Sequence, residues 1–442
     1  MKNIKFIDLF AGLGGTRIGF EQACEEMNIS SECVFTSEIK PYAVEIYKHN
    51  FSGEKVFGDI TKVKESDIPD FDFLLAGFPC QAFSTAGRKA GFDDARGTLF
   101  FDVARIIKEK RPSGILLENV EGLVTHDRKD KDSVIGNTLE TILDILKGLD
   151  YKVSWKVLDA KLFGIPQTRK RIYIVGSLNK DISLDDFQSG TKVFNDIQEK
   201  GLPPLETDFT KRLLKLYQPS ELEGKAIKDK RGGANNIHSW DLELKGALTK
   251  EQKGLMSTLL KERRKKKWAL LKGIVWMDGM PLTLDEIHSF YSHVEMSELK
   301  ELLDDMVTKK YLRFEHPKEL IISENGMKSR EYALHAAKGY NIVTGKLSFE
   351  LNKILGKKCI SPTIVATEAD RIGVLDNNKI RRISERECLR FFGFPEWYES
   401  NISHKDLYDL IGNTVVTPVI KSVSHRVIGA IAENPGNGAL AK

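Results

Sequence analysis

Cysteine is scarce and unpaired in this chain. The five residues Cys24, Cys33, Cys80, Cys359 and Cys388 are odd in number and form no CxxC pair. That argues against a disulfide framework and a structural zinc site, and no metal is expected. Long apolar runs are also missing, with none near the roughly 20 residues that a membrane-spanning helix needs. Residues 1–5 lead into a strand without the apolar region of a signal peptide, so no membrane association and a cytoplasmic location are expected. The dinucleotide fingerprint GxGxxG fails because its third glycine falls at Arg17, and no GxxxxGK[ST] occurs, which disfavours a nicotinamide or P-loop protein. Nor is there a large charge excess. A net charge of +4 does not by itself imply nucleic acid.

What is present is a regular alternation. With 442 residues, 41% hydrophobic and 29% charged, the chain has an ordinary globular composition. It is also long enough for two cores, since single cores stop growing at roughly 250–300 residues. Short apolar runs at 5–10, 33–38, 56–60, 73–76, 114–120, 151–158 and 171–176 read as strands, with helical periodicity at 99–110 and 138–147. This predicts an α/β domain over residues 1–179 built on a doubly wound, mostly parallel sheet. Residues 180–379 are more charged and lose the alternation, as an inserted α+β domain would. Within them, 284–291, 296–306 and 311–322 read as two helices and a β-ribbon, similar to a winged-helix unit. Residues 380–442 regain periodicity and are expected to return to the first domain, ending in a helix that opens near Pro418.

The candidate site residues fall at the ends of the expected strands. Gly77-Phe78-Pro79-Cys80 follows an uncharged strand, and Pro79 stiffens the backbone leaving it. Cys80 therefore stands at a carboxyl strand end, where open α/β sheets bind ligands. Strand one runs into Ala11-Gly12-Leu13-Gly14-Gly15 before a helix, which places backbone N–H groups around a small molecule. Glu38 ends strand two, where an acid can hydrogen-bond a ribose hydroxyl. Asp59 ends strand three and Glu118 strand five. In the insertion, Lys261-Glu262-Arg263-Arg264-Lys265-Lys266-Lys267-Trp268 is the strongest basic run, suited either to phosphate contact or to a solvated helix face.

In this order the motifs resemble the DNA cytosine-C5 methyltransferases of bacterial restriction–modification systems. The resemblance rests on residues 8–15, on Gly77-Phe78-Pro79-Cys80-Gln81-Ala82-Phe83-Ser84, on Glu118-Asn119-Val120 and on Gln167-Thr168-Arg169-Lys170-Arg171. Arg386-Glu387-Cys388-Leu389-Arg390 with Gly393-Phe394-Pro395, and Gly412-Asn413-Thr414-Val415, complete it. It implies the S-adenosylmethionine-dependent methyltransferase fold, with residues 180–379 as the target-recognition domain. Cys80 would add as a thiolate to C6 of a flipped cytosine, making C5 nucleophilic. Glu118 would meet the N3/N4 edge and Arg169 the O2 of the base, with Arg171 and Gln167 in support. For S-adenosylmethionine, and S-adenosylhomocysteine as product, the resemblance implies Phe10, Gly12, Leu13, Gly14, Gly15, Glu38, Ile39, Asp59, Ile60, Pro79, Leu99 and Asn413. Ile39 departs from the pattern, since many relatives carry Trp there. Double-stranded DNA would meet Gln81, Ser84, Arg88, Lys89 and Arg96 of a closing loop, and Lys265, Lys266 and Lys267 of the insertion. The resemblance further implies a monomer on DNA and a cognate restriction endonuclease acting separately.

Two other readings share parts of this pattern. An RNA (tRNA) cytosine-C5 methyltransferase would carry the same Pro-Cys and Glu-Asn-Val motifs without so long an insertion. A non-catalytic DNA-binding regulator on this fold would lack the cysteine or the glycine turn, and both are present. Exocyclic-amine methylation would call for an Asn- or Asp-Pro-Pro-aromatic sequence in place of Pro79-Cys80.

Overall fold

Seven short apolar runs assemble into one sheet. β1 (Asn3–Leu9), β2 (Ser30–Ser37), β3 (Val56–Phe57), β4 (Phe73–Gly77), β5 (Gly114–Val120), β6 (Lys152–Asp159) and β7 (Lys170–Ser177) lie in the order β3-β2-β1-β4-β5-β7-β6. The pairs β1–β2, β2–β3, β1–β4 and β4–β5 are parallel, while β7 runs antiparallel to both neighbours. The direction of winding reverses between β1 and β4, and such a switch point opens a crevice at the carboxyl ends of the two strands. This computed structural model describes residues 3–79, 99–128, 130, 132–188, 190–229, 235–275, 279–322, 328–344 and 349–432.

Helices α1 (Gly15–Glu26), α2 (Pro41–Asn50), α3 (Leu99–Lys110) and α4 (Asn137–Gly148) connect the strands. Strand alternation sends Ile7, Leu9, Leu74, Ala76, Ile115 and Leu117 into one core with Phe100, Val103, Ile142 and Leu146 of α3 and α4. The residues between them face the other way. There Phe20 of α1 meets Phe6 and Phe73, at ring centroid separations of 4.7 and 4.6 Å. The helix Thr417–Ala432 packs on the same side. A Cβ on Gly19 of α1 would fall 2.7 Å from both the Ile420 Cβ and the Thr417 carbonyl, so only glycine permits this approach.

The chain forms two compact units. One comprises Met1–Glu199, Lys357–Asp370 and Ile383–Lys442; the other comprises Lys200–Gly356 and Arg371–Arg382. The boundaries differ from those expected at 179 and 379. Residues 180–199 and 357–370 belong with the sheet, because Phe194 N–H bonds the Cys359 carbonyl and Thr168 N–H the Ser361 carbonyl. Conversely Lys379–Arg382 pairs antiparallel with Ile372–Asp376 and stays in the second unit.

In the second unit, helices Lys250–Glu262, Leu284–His288 and Met296–Thr308 share a core with strands Leu312–Glu315 and Gly339–Ile342. Those two strands pair with each other, and Leu282 bridges to Tyr340. Lys318–Ile322 pairs instead with Lys328–Tyr332. The ribbon expected over 311–322 is therefore two strands with separate later partners, because Pro317 interrupts them. No helix among the described residues is long and apolar enough to cross a membrane.

Candidate active site

The turn after β1 holds an unusual backbone. Phe10 has φ +58°, Gly12 +53° and Gly14 +74°. A left-handed conformation costs a non-glycine residue roughly 1–2 kcal/mol, so Phe10 is held there by its surroundings. One constraint is Glu38, whose Oε2 accepts the Gly12 N–H at 2.8 Å. Its Oε1 accepts the N–H groups of Ile39 and Lys40, each at 2.8 Å. A carboxylate has about four lone-pair sites, which leaves capacity for a hydroxyl donor.

These residues open onto a cavity of about 460 Å³. Phe10, Gly12, Leu13, Glu38, Ile39, Asp59, Ile60, Pro79, Leu99 and Asn413 all line it. Gly14 and Gly15 do not line it; they pack behind the turn. A Cβ on Gly14 would meet Phe51 at 2.5 Å, and one on Gly15 would meet Val415 at 3.0 Å. The Asp59 Oδ1 accepts from the Thr61 hydroxyl at 2.8 Å and the Thr61 N–H at 3.1 Å. Those bonds hold its carboxyl below the ordinary value, in the acceptor form. An aromatic face, bare glycine backbone and two acids in one cavity suit a nucleoside with a diol and an exocyclic amine. S-adenosylmethionine has these groups, so the residues present fit it.

The same cavity is also lined from β5 and β7. Glu118 and Arg171 both line it, and the Arg171 Nε lies 3.2 Å from the Glu118 Oε1. Glu118 is only 8% exposed. Burial raises its carboxyl above the ordinary value, and the Arg171 and Arg169 charges only partly oppose that. Asn119 then fixes the adjoining loop, its Nδ2 donating to the Phe78 carbonyl at 2.9 Å. That bond sets the backbone one residue before Pro79. Cys80, Gln81, Ser84, Arg88, Lys89 and Arg96 lie outside the described residues.

Arg169 is placed differently from the expectation that it holds the base. It does not line the cavity and is only 2% exposed. Its Nη1 donates to the Ile364 carbonyl at 3.1 Å, and its Nη2 to the carbonyls of Gly412 at 3.0 Å and Thr414 at 2.8 Å. Burial, then the neighbouring Arg171 charge, lowers its guanidinium to about 10. Gln167 is equally enclosed, with Nε2 donating to the Phe391 carbonyl and Oε1 accepting the Ile364 N–H, each at 2.9 Å. Both side chains tie the approach to β7 to segments that return from far along the chain. Sequence reasoning also missed Lys40 and Leu410, which line the cavity without a motif signal, and gave no cofactor role to Thr16 or to Thr414 of the late motif, which line it too.

The basic run of the second unit is not one solvated helix face. It spans the end of helix Lys250–Glu262, a turn, and helix Lys266–Leu271. Arg263 is 4% exposed and donates to the Asn341 Oδ1 at 2.7 Å. Lys265 pairs with Glu262, and the Lys267 Nζ lies 4.1 Å from the centre of the Trp268 ring. Trp268 itself is 3% exposed within the core, so it anchors the helix and presents no face for a base to stack on.

Known proteins point the same way. The family model for C-5 cytosine-specific DNA methylase matches residues 4–429. The Type II methyltransferase M.NlaIV of Neisseria lactamica is 56% identical over 428 residues, covering 97% of this chain and 99% of its own. M.NgoBV of Neisseria gonorrhoeae, likewise a Type II methyltransferase, is also 56% identical, with the same coverage. Among solved structures, the S. pombe Dnmt2 methyltransferase has the same fold at 15% identity, with a TM-score of 0.50 and coverage of 97% of this chain and 99% of that one. The chain belongs to the C-5 cytosine-specific DNA methylases, enzymes that transfer a methyl group from S-adenosylmethionine to C5 of cytosine in DNA.

Proposed function

We propose that this enzyme methylates one cytosine within a specific duplex sequence, with Cys80 as nucleophile, Glu118 and Arg171 on the base, and Glu38 and Asp59 on the cofactor. The observation that carries the reading is the shared cavity. Glu118 and Arg171 line the same space as Phe10, Glu38 and Asp59, so a methyl donor and a base can meet there without rearrangement of the sheet.

S-adenosylmethionine supplies an electrophilic methyl group when bound. The C5 of cytosine is too poor a nucleophile to accept it unaided. Addition of the Cys80 thiolate to C6 makes an enamine of the ring, and electron density moves to C5. Glu118, whose carboxyl burial raises above its ordinary value, would donate to N3 from its protonated form as negative charge develops on the ring. The Arg171 guanidinium, beside Glu118, is the cation within reach of O2. Once C5 has taken the methyl group and S-adenosylhomocysteine is left as product, loss of the C5 proton to a base re-forms the C5–C6 double bond and expels the Cys80 thiolate, and N3 returns its proton to Glu118. The roles of the two arginines are thus exchanged relative to the sequence reading, with Arg169 holding the Gly412 and Thr414 carbonyls on either side of Asn413.

The second unit supports target recognition. Its core gathers four helices and two paired strands, with Leu282 bridging to Tyr340, which is compatible with the expected winged-helix unit, and Lys265–Lys267 would neutralise phosphates. Contacts of this kind must offset the few kcal/mol that flipping a base costs. An RNA enzyme has no evident use for this additional core. Protection of host DNA from a separate cognate endonuclease, action as a monomer and a cytoplasmic location complete the proposal.

Bisulfite sequencing of duplex DNA treated with the purified enzyme tests it. A single recurrent sequence context with one methylated cytosine is expected. Cys80→Ser should abolish that signal while S-adenosylmethionine still binds, and methylation by this variant would overturn the covalent scheme. Filter binding at matched salt that favoured tRNA over duplex DNA would overturn the choice of substrate.

A further inference from the structure

The cavity wall is made of two chain segments far apart in sequence. Glu38, Ile39 and Lys40 form one side, and Leu410, Gly412, Asn413, Thr414 and Val415 another. Ile39 is 67% exposed, so little packing covers its part of the wall. A polar bracket stands beside it. The Asp409 Oδ2 accepts from the Lys40 Nζ and from the Tyr42 hydroxyl, each at 2.7 Å. The main-chain carbonyl of Asp409 accepts the Asn413 Nδ2 at 2.9 Å, which carries the constraint to the cavity-lining end of helix His404–Asn413.

The bracket grips α2 at its start. At the other end of α2, the Asn50 Nδ2 donates to the Glu399 carbonyl and its Oδ1 accepts the Glu399 N–H, each at 2.8 Å. The helix is therefore tied to the returning segment at both ends, and of these two ties the Asp409 one reaches the cavity wall, through Lys40 and Asn413. Two donors on one carboxylate oxygen, one of them cationic, give a directional contact stronger than a neutral hydrogen bond. A displacement of about 1 Å in either wall is enough to spoil the fit of a bound group.

We propose that Asp409, through Lys40 and Tyr42, is a positioning residue for S-adenosylmethionine, clamping the Glu38–Lys40 wall to the Leu410–Val415 wall where Ile39 leaves the cavity thinly covered. This rests on the reading that the cavity holds the cofactor through Glu38 and Asp59. Asp409 does not touch the cofactor and takes no part in the chemistry; it sets the distance between the groups that do.

Calorimetric titration of the full chain with S-adenosylmethionine and with S-adenosylhomocysteine tests the proposal without turnover. Asp409→Leu should weaken both by about fivefold, the scale of a partly exposed ion pair. The loss should appear in KM for S-adenosylmethionine rather than in kcat. Tyr42→Phe should give a smaller loss. The reversed pair Lys40→Asp with Asp409→Lys should regain most of the affinity, which a merely structural role of either side chain would not produce. Glu38→Ala serves as the reference. If it abolishes binding while Asp409→Leu and the reversed pair bind as wild type does, the bracket proposal is wrong and the cavity reading stands. If Glu38→Ala also binds normally, the cavity reading fails and takes the bracket with it.

Discussion

Arg171 and Glu118 meet at 3.2 Å between Nε and Oε1, at a place where burial raises the carboxyl and the guanidinium lowers it. The balance leaves Glu118 above its ordinary value, which favours the protonated form that can donate to the base. The Arg171 charge favours the carboxylate, so removing it raises Glu118 further. For Arg171→Gln we expect kcat to fall by about 10²-fold or more, as when one stabilising donor is removed. The alkaline limb of the pH–rate profile, which reports ionisation of Glu118, should move to higher pH. Single-turnover rates across pH measure both effects, and an alkaline limb that moves down or stays fixed would separate Glu118 from this cation.

A second carboxyl lies beneath the glycine turn. Asp8 is fully buried, and burial raises it to about 7 against an ordinary 3.8, with Thr16 and Arg17 opposing. The Thr16 hydroxyl donates to its Oδ1 at 2.7 Å, while Oδ2 is buried without a hydrogen-bond partner. Because the folded value exceeds the unfolded one, Asp8 favours the fold fully below about pH 3.8, and that contribution is lost as pH rises through 7. Asp8→Asn imitates the neutral acid and keeps an acceptor for Thr16. Its melting temperature should exceed that of wild type by about 2–4 °C or more at pH 8, with the gap narrowing toward pH 5. A gap independent of pH would show that Asp8 does not titrate there.

The basic run of the second unit separates into charges and an anchor. Replacing Lys265, Lys266 and Lys267 together with Gln should lower the slope of log Kd against log salt for DNA by about 2 or 3, close to one unit for each phosphate no longer neutralised. Trp268→Ala should leave that slope intact and cost about 3–5 kcal/mol of stability, since the ring fills the core. An unchanged slope in the triple variant would reduce the lysines to a solvated face.

Much of the site was legible because its signals are local. Uncharged runs ending at Gly77 and Glu118 mark buried strands and their carboxyl ends. The turn at Gly12 and Gly14 requires positive φ, which glycine supplies. What was illegible depends on distant partners. Arg169 and Arg171 are both basic and two residues apart. Only the nearness of Ile364, Gly412 and Thr414 decides which one is buried. The Asp409 bond to Lys40 spans 369 positions. Periodicity marks β7 as a strand but is the same in either direction, so its antiparallel pairing to β5 had no signal. Segment 357–370 has no period and is placed by backbone bonds to Pro166, Thr168 and Phe194.

Arg169 offers the sharpest test of that distinction. If it held the base, Arg169→Met would abolish methylation and leave folding and cofactor binding alone. The structure predicts another outcome. Its guanidinium serves three buried carbonyls at 2.8–3.1 Å, and each one left without a donor costs about 1–3 kcal/mol. Arg169→Met should therefore lower the melting temperature by about 6 °C or more. It should also weaken S-adenosylmethionine binding, because Gly412 and Thr414 flank Asn413 in the cavity wall. Arg169→Lys should recover only part of both, since an ammonium lacks the planar fork that reaches separate carbonyls. Melting curves and calorimetry on the same samples suffice. Normal melting and normal cofactor affinity in Arg169→Met, with activity abolished, would return this arginine to the base.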